Sequence, residues 1–360
     1  MKRRAFLQST ALALFSPLSL AAARAAPALT SSAGELQSAL EGAARLGPIE
    51  SIMADRSGVV VTAKTFGEGS LDRPTNIKSA SKSIISALVG IAIDKGLLSG
   101  PDQAIAPLLR RDLPPRFDPR VEAITVGHLL SMQSGLTRTS GANYGAWVAS
   151  RNWVRAALAQ PFVDEPGGRM LYSTGSTHLL SAILTRVSRR STLALAREWF
   201  GAVPGFRIAS WERDPQGIYL GGNQMAMSPR SLLAFGMLYR NGGRAPTGEQ
   251  IVPEEWVRLS WQPRTASAFT GDAYGYGWFL RTMAGRAVRY AWGYGGQMLY
   301  VVPELELTIV VTSDESQPSA RTGYRDEIHA LASLIIAEAG RYSLLHNLGT
   351  SSMLTVHQPR

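Results

Sequence analysis

The sequence contains no cysteine among its 360 residues. Disulfide bonds and lipid attachment through a cysteine are therefore excluded, and the fold must depend on packing alone. The five histidines show neither His-x-His nor His-Glu-x-x-His spacing, so we expect no metal site and no other cofactor. Gly-x-Ser-x-Gly is also absent, which excludes the usual nucleophile turn of the α/β-hydrolases.

Lysine is scarce, with only five residues, and the formal charge of +10 is carried mainly by dispersed arginines. Proteins that bind nucleic acids usually concentrate basic residues on one face or in one run. The dispersed pattern therefore predicts no nucleic-acid partner. Hydrophobic residues make up 45% of the chain, and low-complexity tracts are absent, so the composition is typical of a large globular protein.

No apolar run near the amino terminus is long enough for an ordinary transmembrane helix. The stretch from Ala11 to Ala23 is short and is broken by Pro17. It follows a basic head with the pair Arg3-Arg4 and ends at the small-residue site Ala23-Arg24-Ala25, a pattern typical of a cleaved twin-arginine signal peptide. We therefore expect residues 1–25 to be removed, and the mature protein to be periplasmic or secreted without a stable membrane anchor.

Both ends of the chain carry patterns of one α/β layer. Alternating segments indicate strands, and apolar residues at helical spacing indicate helices, one of which is apolar on every side and should be buried throughout. The predicted helices cover Glu35–Leu46, Lys82–Lys95 and Tyr324–Ala339, and the predicted strands cover Ile49–Ala54, Val59–Phe66, Trp278–Arg281, Val288–Ala291, Met298–Val302 and Leu307–Thr312.

The fold class predicted from this order is α/β, with an antiparallel sheet flanked by helices and built from both chain ends. Residues 26–100 and 270–345 would form this discontinuous domain. Residues 101–269 show short helical patterns broken by proline and glycine, which predict an all-α insertion. The active site is expected where the two parts meet. Residues 346–360 lack periodicity and are predicted to be a loose tail.

A Ser-x-x-Lys motif lies at Ser79-Ala80-Ser81-Lys82, at the start of the most buried predicted helix. Helical spacing places the hydroxyl and the amine on one face. A serine needs an adjacent base to act as a nucleophile at neutral pH, and burial lowers the pKa of a lysine toward the useful range. Taken alone, the motif often arises by chance, and a helix-capping serine with a surface lysine is the more common interpretation.

Further segments make the sequence recognisable. Ile124–Leu130 reads ITVGHLL and is followed by Ser134-Gly135-Leu136, with Tyr172-Ser173-Thr174 and Gly295-Gly296-Gln297 further along. From about Ser51 to Ala339 the chain resembles the class C β-lactamases, penicillin-binding esterases and 6-aminohexanoate-oligomer hydrolases. This resemblance implies a β-lactamase/transpeptidase-like fold and an acyl-enzyme formed on Ser79.

The resemblance also assigns roles to the second motif, which in the family is Tyr-x-Asn. Tyr172 would lie beside Ser79 and Lys82, where a cationic neighbour is expected to favour the phenolate that accepts the serine proton. Thr174 replaces the asparagine, which keeps a hydroxyl but removes the amide. The predicted catalytic residues are therefore Ser79, Lys82 and Tyr172.

The third motif of the family is degenerate here, because Ala291-Trp292-Gly293 stands where a lysine or histidine is usual. That cation holds the substrate carboxylate in β-lactamases, so its absence argues against a dedicated β-lactamase. Arg138 or Arg169 could replace it. The backbone N–H groups near Tyr294 and at Ser79 are expected to form an oxyanion hole. The predicted substrate-binding and oxyanion residues are Ser79, Tyr294, Thr174, Trp292, Gly293 and Gly295.

These features favour a serine hydrolase that acts on small carboxylesters or linear amides. A β-lactamase or D-alanyl carboxypeptidase is the alternative enzyme. A third possibility is a penicillin-recognising binding protein that retains the serine but has lost turnover. The sequence indicates neither the oligomeric state nor the physiological substrate.

Overall fold

The computed structural model describes residues 36–351, with side chains described as far as residue 341. The predicted signal peptide and the last nine residues lie outside this range. None of the helices between residues 36 and 351 is both long enough and apolar enough to cross a membrane.

Two antiparallel sheets are present in the described residues. The strands are β1 (Ile49–Arg56), β2 (Val59–Thr65), β3 (Thr75–Asn76), β4 (Ser210–Trp211), β5 (Met225–Met227), β6 (Thr265–Ala266), β7 (Ala273–Tyr274), β8 (Phe279–Met283), β9 (Arg286–Gly293), β10 (Gln297–Val302) and β11 (Leu307–Ser313). The large sheet has the order β2-β1-β11-β10-β9-β8-β7-β6, and the small one has the order β3-β5-β4. Strands from both chain ends therefore lie side by side in the large sheet.

Nine α-helices follow the first helical residues, 36–42, within the described range. They are α1 (Ser81–Asp94), α2 (Val126–Leu130), α3 (Tyr144–Val148), α4 (Trp153–Leu158), α5 (Thr174–Ser188), α6 (Thr192–Trp199), α7 (Pro229–Arg240), α8 (Glu254–Ser260) and α9 (Tyr324–Ser351).

Helices cover both faces of the large sheet. Along β10, Met298 and Tyr300 point into the core shared with α9, whereas Leu299 and Val301 point into the core shared with α1 and α7. This alternation follows from the two-residue period of a strand. Every residue of β11 is buried, as expected for a strand that is covered on both faces.

The predicted fold class is confirmed, and the predicted hairpin, buried helix and four-strand meander all occur within a few residues of their expected positions. Two details differ. The segment predicted as an all-α insertion also contributes β4, β5 and β6, whose two or three residues are too short to leave an alternating pattern. The closing helix extends to Ser351, so the tail predicted to be loose from His346 is helical as far as the described residues reach.

Candidate active site

Ser79 lies in a short 3₁₀ turn, Lys78–Ala80, that leads directly into α1. Two neighbouring serines have other partners, because the Ser81 hydroxyl donates to the Lys78 carbonyl at 2.7 Å and the Ser83 hydroxyl donates to the Gly277 carbonyl at 2.6 Å. Ser79 is partly exposed and contacts Lys82. Of the three serines, it is therefore the one placed to react with a substrate.

Lys82 is buried in the first turn of α1 and has three oxygen partners. Its Nζ donates to Ser79 Oγ at 2.9 Å, to the Gly222 carbonyl at 2.7 Å and to Thr174 Oγ1 at 3.3 Å. Burial lowers the pKa of this lysine from 10.5 to about 7 because desolvation penalises the charged form. A substantial fraction of Lys82 is thus neutral near pH 7 and able to accept a proton from Ser79.

Tyr172 is the third member of the cluster. The neighbouring Ser79 side chain acts on its hydroxyl in the direction of a lower pKa, and Lys82 Nζ lies 5.1 Å from the centre of its ring. The ring stacks on Phe279 with centroids 6.1 Å apart and meets the edge of Tyr274 at 6.2 Å. These aromatic neighbours fix the direction of the hydroxyl toward Ser79.

The expectation that a cationic neighbour favours the Tyr172 phenolate is wrong. Desolvation raises the pKa of Tyr172 to about 12 and outweighs the hydrogen bond from Ser79, which acts in the opposite direction. The phenol therefore remains protonated at neutral pH. Lys82 is the group that can act as a base, and Tyr172 is the group that can donate a proton.

Thr174, which replaces the family's asparagine, reaches Lys82 through its hydroxyl. The same oxygen is 3.0 Å from Ser140 Oγ, which also accepts a hydrogen bond from the Thr174 N–H at 2.8 Å. Ser140, which lies in the loop before α3, was not among the residues predicted from the sequence. No spacing or motif marked this residue, because its position depends on how the insertion folds.

The Gly222 carbonyl, which is the nearest partner of Lys82, was also missed. Gly222 has a φ of 83°, and a Cβ here would lie 2.4 Å from Thr177 Oγ1 and 2.6 Å from Lys82 Cγ. Glycine is therefore required both for the backbone conformation and for the space. The pair Gly221-Gly222 was the available sequence signal, although such pairs usually indicate only a turn.

The end of β9 approaches the segment that precedes Ser79. A Cβ at Gly293 would lie 2.2 Å from the Ile77 carbonyl oxygen, so only glycine permits this contact. The pairing of β9 with β8 ends at Tyr290, before this glycine. Tyr294 follows in a turn with half of its surface exposed, and Gly295 has a φ of 84°. The contribution of the Tyr294 N–H to an oxyanion hole stays a prediction.

Trp292 points to the opposite face of the sheet from Gly293. Its ring centre is 6.0 Å from that of Phe279, its Nε1 donates to Ser319 Oγ at 3.2 Å, and the Arg325 guanidinium lies 5.3 Å from the ring. Through Phe279 it supports the aromatic cluster around Tyr172. Direct contact between Trp292 and a substrate stays a prediction.

Both arginines suggested as substitute cations have partners within the protein. Arg138 lies over the exposed Phe269 ring at 5.2 Å, and Arg169 pairs with Asp164 at 3.3 Å.

Comparisons with known proteins agree with this fold. Residues 51–333 match the family model described as Beta-lactamase. A comparison with curated protein sequences gave no significant match.

Solved structures show the same fold at low sequence identity. A candidate 6-aminohexanoate-dimer hydrolase from Bacillus anthracis is 18% identical, with a TM-score of 0.67, over 84% of this chain and 82% of that one. EstCE1, described as a hydrolase with promiscuous acyltransferase activity, is 18% identical, with a TM-score of 0.68, over 85% of this chain and 100% of that one. Simvastatin synthase (LovD) from Aspergillus terreus is 17% identical, with a TM-score of 0.65, over 85% of this chain and 98% of that one. The chain belongs to the Beta-lactamase family of serine hydrolases.

Proposed function

We propose that this protein hydrolyses carboxylesters or small linear amides through an acyl-enzyme on Ser79. The observation that carries the proposal is the cluster of Ser79, Lys82 and Tyr172, in which Lys82 donates a hydrogen bond to Ser79 and lies close to the Tyr172 ring. It combines a reachable hydroxyl, a buried lysine with a pKa of about 7 and a protonated phenol. No cofactor is needed for this chemistry.

The geometry suggests a role for each group. Neutral Lys82 accepts the Ser79 proton while the serine oxygen attacks the substrate carbonyl, and backbone N–H groups stabilise the resulting oxyanion. Tyr172 donates a proton to the departing alcohol or amine and is reprotonated from Lys82. Water then attacks the acyl-enzyme, with the same groups handling its proton in the reverse direction, and releases Ser79.

Esters and linear amides are favoured over β-lactams because Ala291-Trp292-Gly293 offers no cation to a substrate carboxylate. A lost charge-assisted hydrogen bond costs about 1.5–3 kcal/mol, or roughly ten- to a hundredfold in kcat/KM. EstCE1, a hydrolase with promiscuous acyltransferase activity, supports acyl transfer through Ser79 by analogy of fold. A β-lactamase or D-alanyl carboxypeptidase is the alternative. It predicts that nitrocefin, rather than a neutral short-chain p-nitrophenyl ester, is the better substrate.

Ser79→Ala tests the proposal, with Ser83→Ala as the control on the same segment. Ser79→Ala should abolish fluorophosphonate labelling and p-nitrophenyl ester turnover while changing stability by about 1 kcal/mol. Ser83→Ala should retain both activities. Full labelling of Ser79→Ala would assign the nucleophile elsewhere. Labelling of the wild type without turnover would instead favour the non-catalytic binding protein.

We also propose that the mature protein is exported. The paired arginines and the Ala23-Arg24-Ala25 site support this assignment. Mass spectrometry of the periplasmic fraction should find an amino terminus near Ala26, and a retained leader on soluble mature protein would contradict export.

A further inference from the structure

A buried histidine and aspartate lie behind the catalytic cluster. His178 Nε2 on α5 is 3.1 Å from Asp214 Oδ2, and both side chains are fully buried. His178 Nδ1 accepts a hydrogen bond from the Gly221 N–H at 3.4 Å. Since Nδ1 accepts, the ring proton resides on Nε2 and is donated to the carboxylate. Each ring nitrogen therefore has a defined partner.

The carboxylate of Asp214 is itself fixed in place. Its Oδ1 accepts hydrogen bonds from the backbone N–H groups of Gln216 and Ile218, both at 2.8 Å. The His178 ring also packs against Trp147 and Trp153, with centroids 5.6 Å and 5.7 Å away. Asp214 and the two tryptophans thus hold the imidazole in place, and its Nδ1 faces the Gly221 N–H.

Hydrogen bonds hold both the N–H and the carbonyl group of Gly221. Its N–H donates to His178, and its carbonyl accepts from Thr177 Oγ1 at 3.0 Å. A Cβ at Gly221 would lie 2.1 Å from the Thr177 carbonyl oxygen, so the loop is pressed against α5. The next carbonyl along the chain, that of Gly222, is the one that contacts Lys82 at 2.7 Å.

We propose that His178 and Asp214 are positioning residues that hold the Gly222 carbonyl against Lys82. This inference rests on the proposed function of Lys82 as the base for Ser79. Three oxygens, on Ser79, Thr174 and Gly222, surround the lysine nitrogen, and within residues 36–341 Tyr172 is the titratable side chain beside it. No carboxylate pairs with Lys82 among the described residues. The Gly222 carbonyl therefore both orients the amine and favours its protonated form.

Two substitutions break the chain of contacts in different ways. Asp214→Asn places an amide donor opposite the Nε2 proton, so the ring must change tautomer and lose its acceptor for Gly221. His178→Phe retains a ring for packing but has no acceptor at all. His178→Gln can retain an acceptor for Gly221 and should recover part of the loss. Asp112→Asn is the matched control, because Asp112 is a buried carboxylate that pairs with Arg186, away from Lys82.

The experiment measures the rate at which a fluorophosphonate labels Ser79 as a function of pH, together with the melting temperature. This rate depends on the serine and its base but not on the natural substrate. We expect Asp214→Asn and His178→Phe to slow labelling at least about tenfold. The acid limb of their pH–rate profile should move down by about one pH unit. The reason is that the displaced Gly222 carbonyl no longer favours the ammonium form of Lys82.

Asp112→Asn should lower the melting temperature without moving the acid limb. Two results together would overturn the inference. The acid limbs of the labelling profiles of Asp214→Asn and His178→Phe would coincide with that of the wild type, and their labelling rates would fall no further than that of Asp112→Asn. Failure of the proposed function would look different, because Ser79 would be labelled normally but no ester would be turned over.

Discussion

Lys82 Nζ in the first turn of α1 lies 2.9 Å from Ser79 Oγ, three positions earlier in the 3₁₀ turn that leads into this helix. The lysine is enclosed by protein, and desolvation lowers its pKa to about 7. The same burial raises the pKa of Tyr172 to about 12. One physical effect therefore separates the two groups into a base and an acid, because it disfavours the charged form of each.

The pH dependence of ester hydrolysis tests this division of roles. Lys82 must lose its proton to act as a base, so kcat/KM should rise with pH and level off above an apparent pKa of about 7. Tyr172 keeps its proton until about pH 12, so no fall is expected between pH 8 and pH 10. Lys82→Arg, which stays protonated, should lose roughly a thousandfold in kcat. An acid limb near pH 10 would instead support the phenolate as the base.

Tyr172→Phe separates the hydroxyl from the ring. The stacking on Phe279 and the contact with Tyr274 should persist, so we expect stability to change by less than about 1 kcal/mol. Loss of the proton donor should lower kcat by about 10²- to 10⁴-fold. Tyr300→Phe, which removes a buried hydroxyl that contacts His329 on the α9 side of the sheet, serves as the control. Equal activity of Tyr172→Phe and wild type would remove the tyrosine from the mechanism.

Lys82→Met should stabilise the fold at neutral pH. The pKa of Lys82 is lower in the folded state than in the unfolded chain, so the unfolded state binds more protons between about pH 7 and pH 10.5. The stability of the wild type therefore increases with pH across this window. We expect Lys82→Met to be more stable by about 2–4 kcal/mol at pH 7 and to lose most of that advantage by pH 10.5. Urea denaturation at both pH values measures the difference, and a gain that does not depend on pH would contradict a buried, titrating lysine.

The parts of the site that could be predicted from sequence are those with local spacing. Ser79 and Lys82 lie three residues apart on one helical segment, so their contact follows from helix geometry alone. Tyr172 could be assigned only through the family resemblance, because 90 residues separate it from Lys82. The fold class was predictable because strands of five to eight residues leave clear alternation at both chain ends.

Other parts depend on tertiary packing that leaves no pattern in the sequence. The Gly222 carbonyl reaches Lys82, and Ser140 reaches Thr174, only after the insertion has folded around α5. The protonation of Tyr172 was predicted with the wrong sign because the sequence indicates a neighbouring lysine but not the degree of burial. His178 belongs to no motif, and its partner Asp214 lies 36 positions away. Neither spacing nor composition could have joined them.

Gly293→Ala tests whether the close approach of β9 to the Ser79 turn matters for catalysis. The added Cβ would lie 2.2 Å from the Ile77 carbonyl oxygen, so the strand end and the segment before Ser79 must move apart. We expect a loss of about 1–3 kcal/mol in stability, as for overpacking in a core. We also expect at least about a tenfold fall in kcat, because displaced backbone donors stabilise an oxyanion poorly.

Gly145→Ala is the matched control for Gly293→Ala. No atom lies within 4 Å of a Cβ at Gly145 in the short helix α3, so alanine should stabilise that helix by about 0.5–1 kcal/mol and leave turnover unchanged. Ester kinetics and urea denaturation on both variants separate a general effect of the added methyl group from its effect at β9. Full activity of Gly293→Ala would show that the end of β9 need not touch the serine segment, and the oxyanion hole would then have to be sought away from Tyr294.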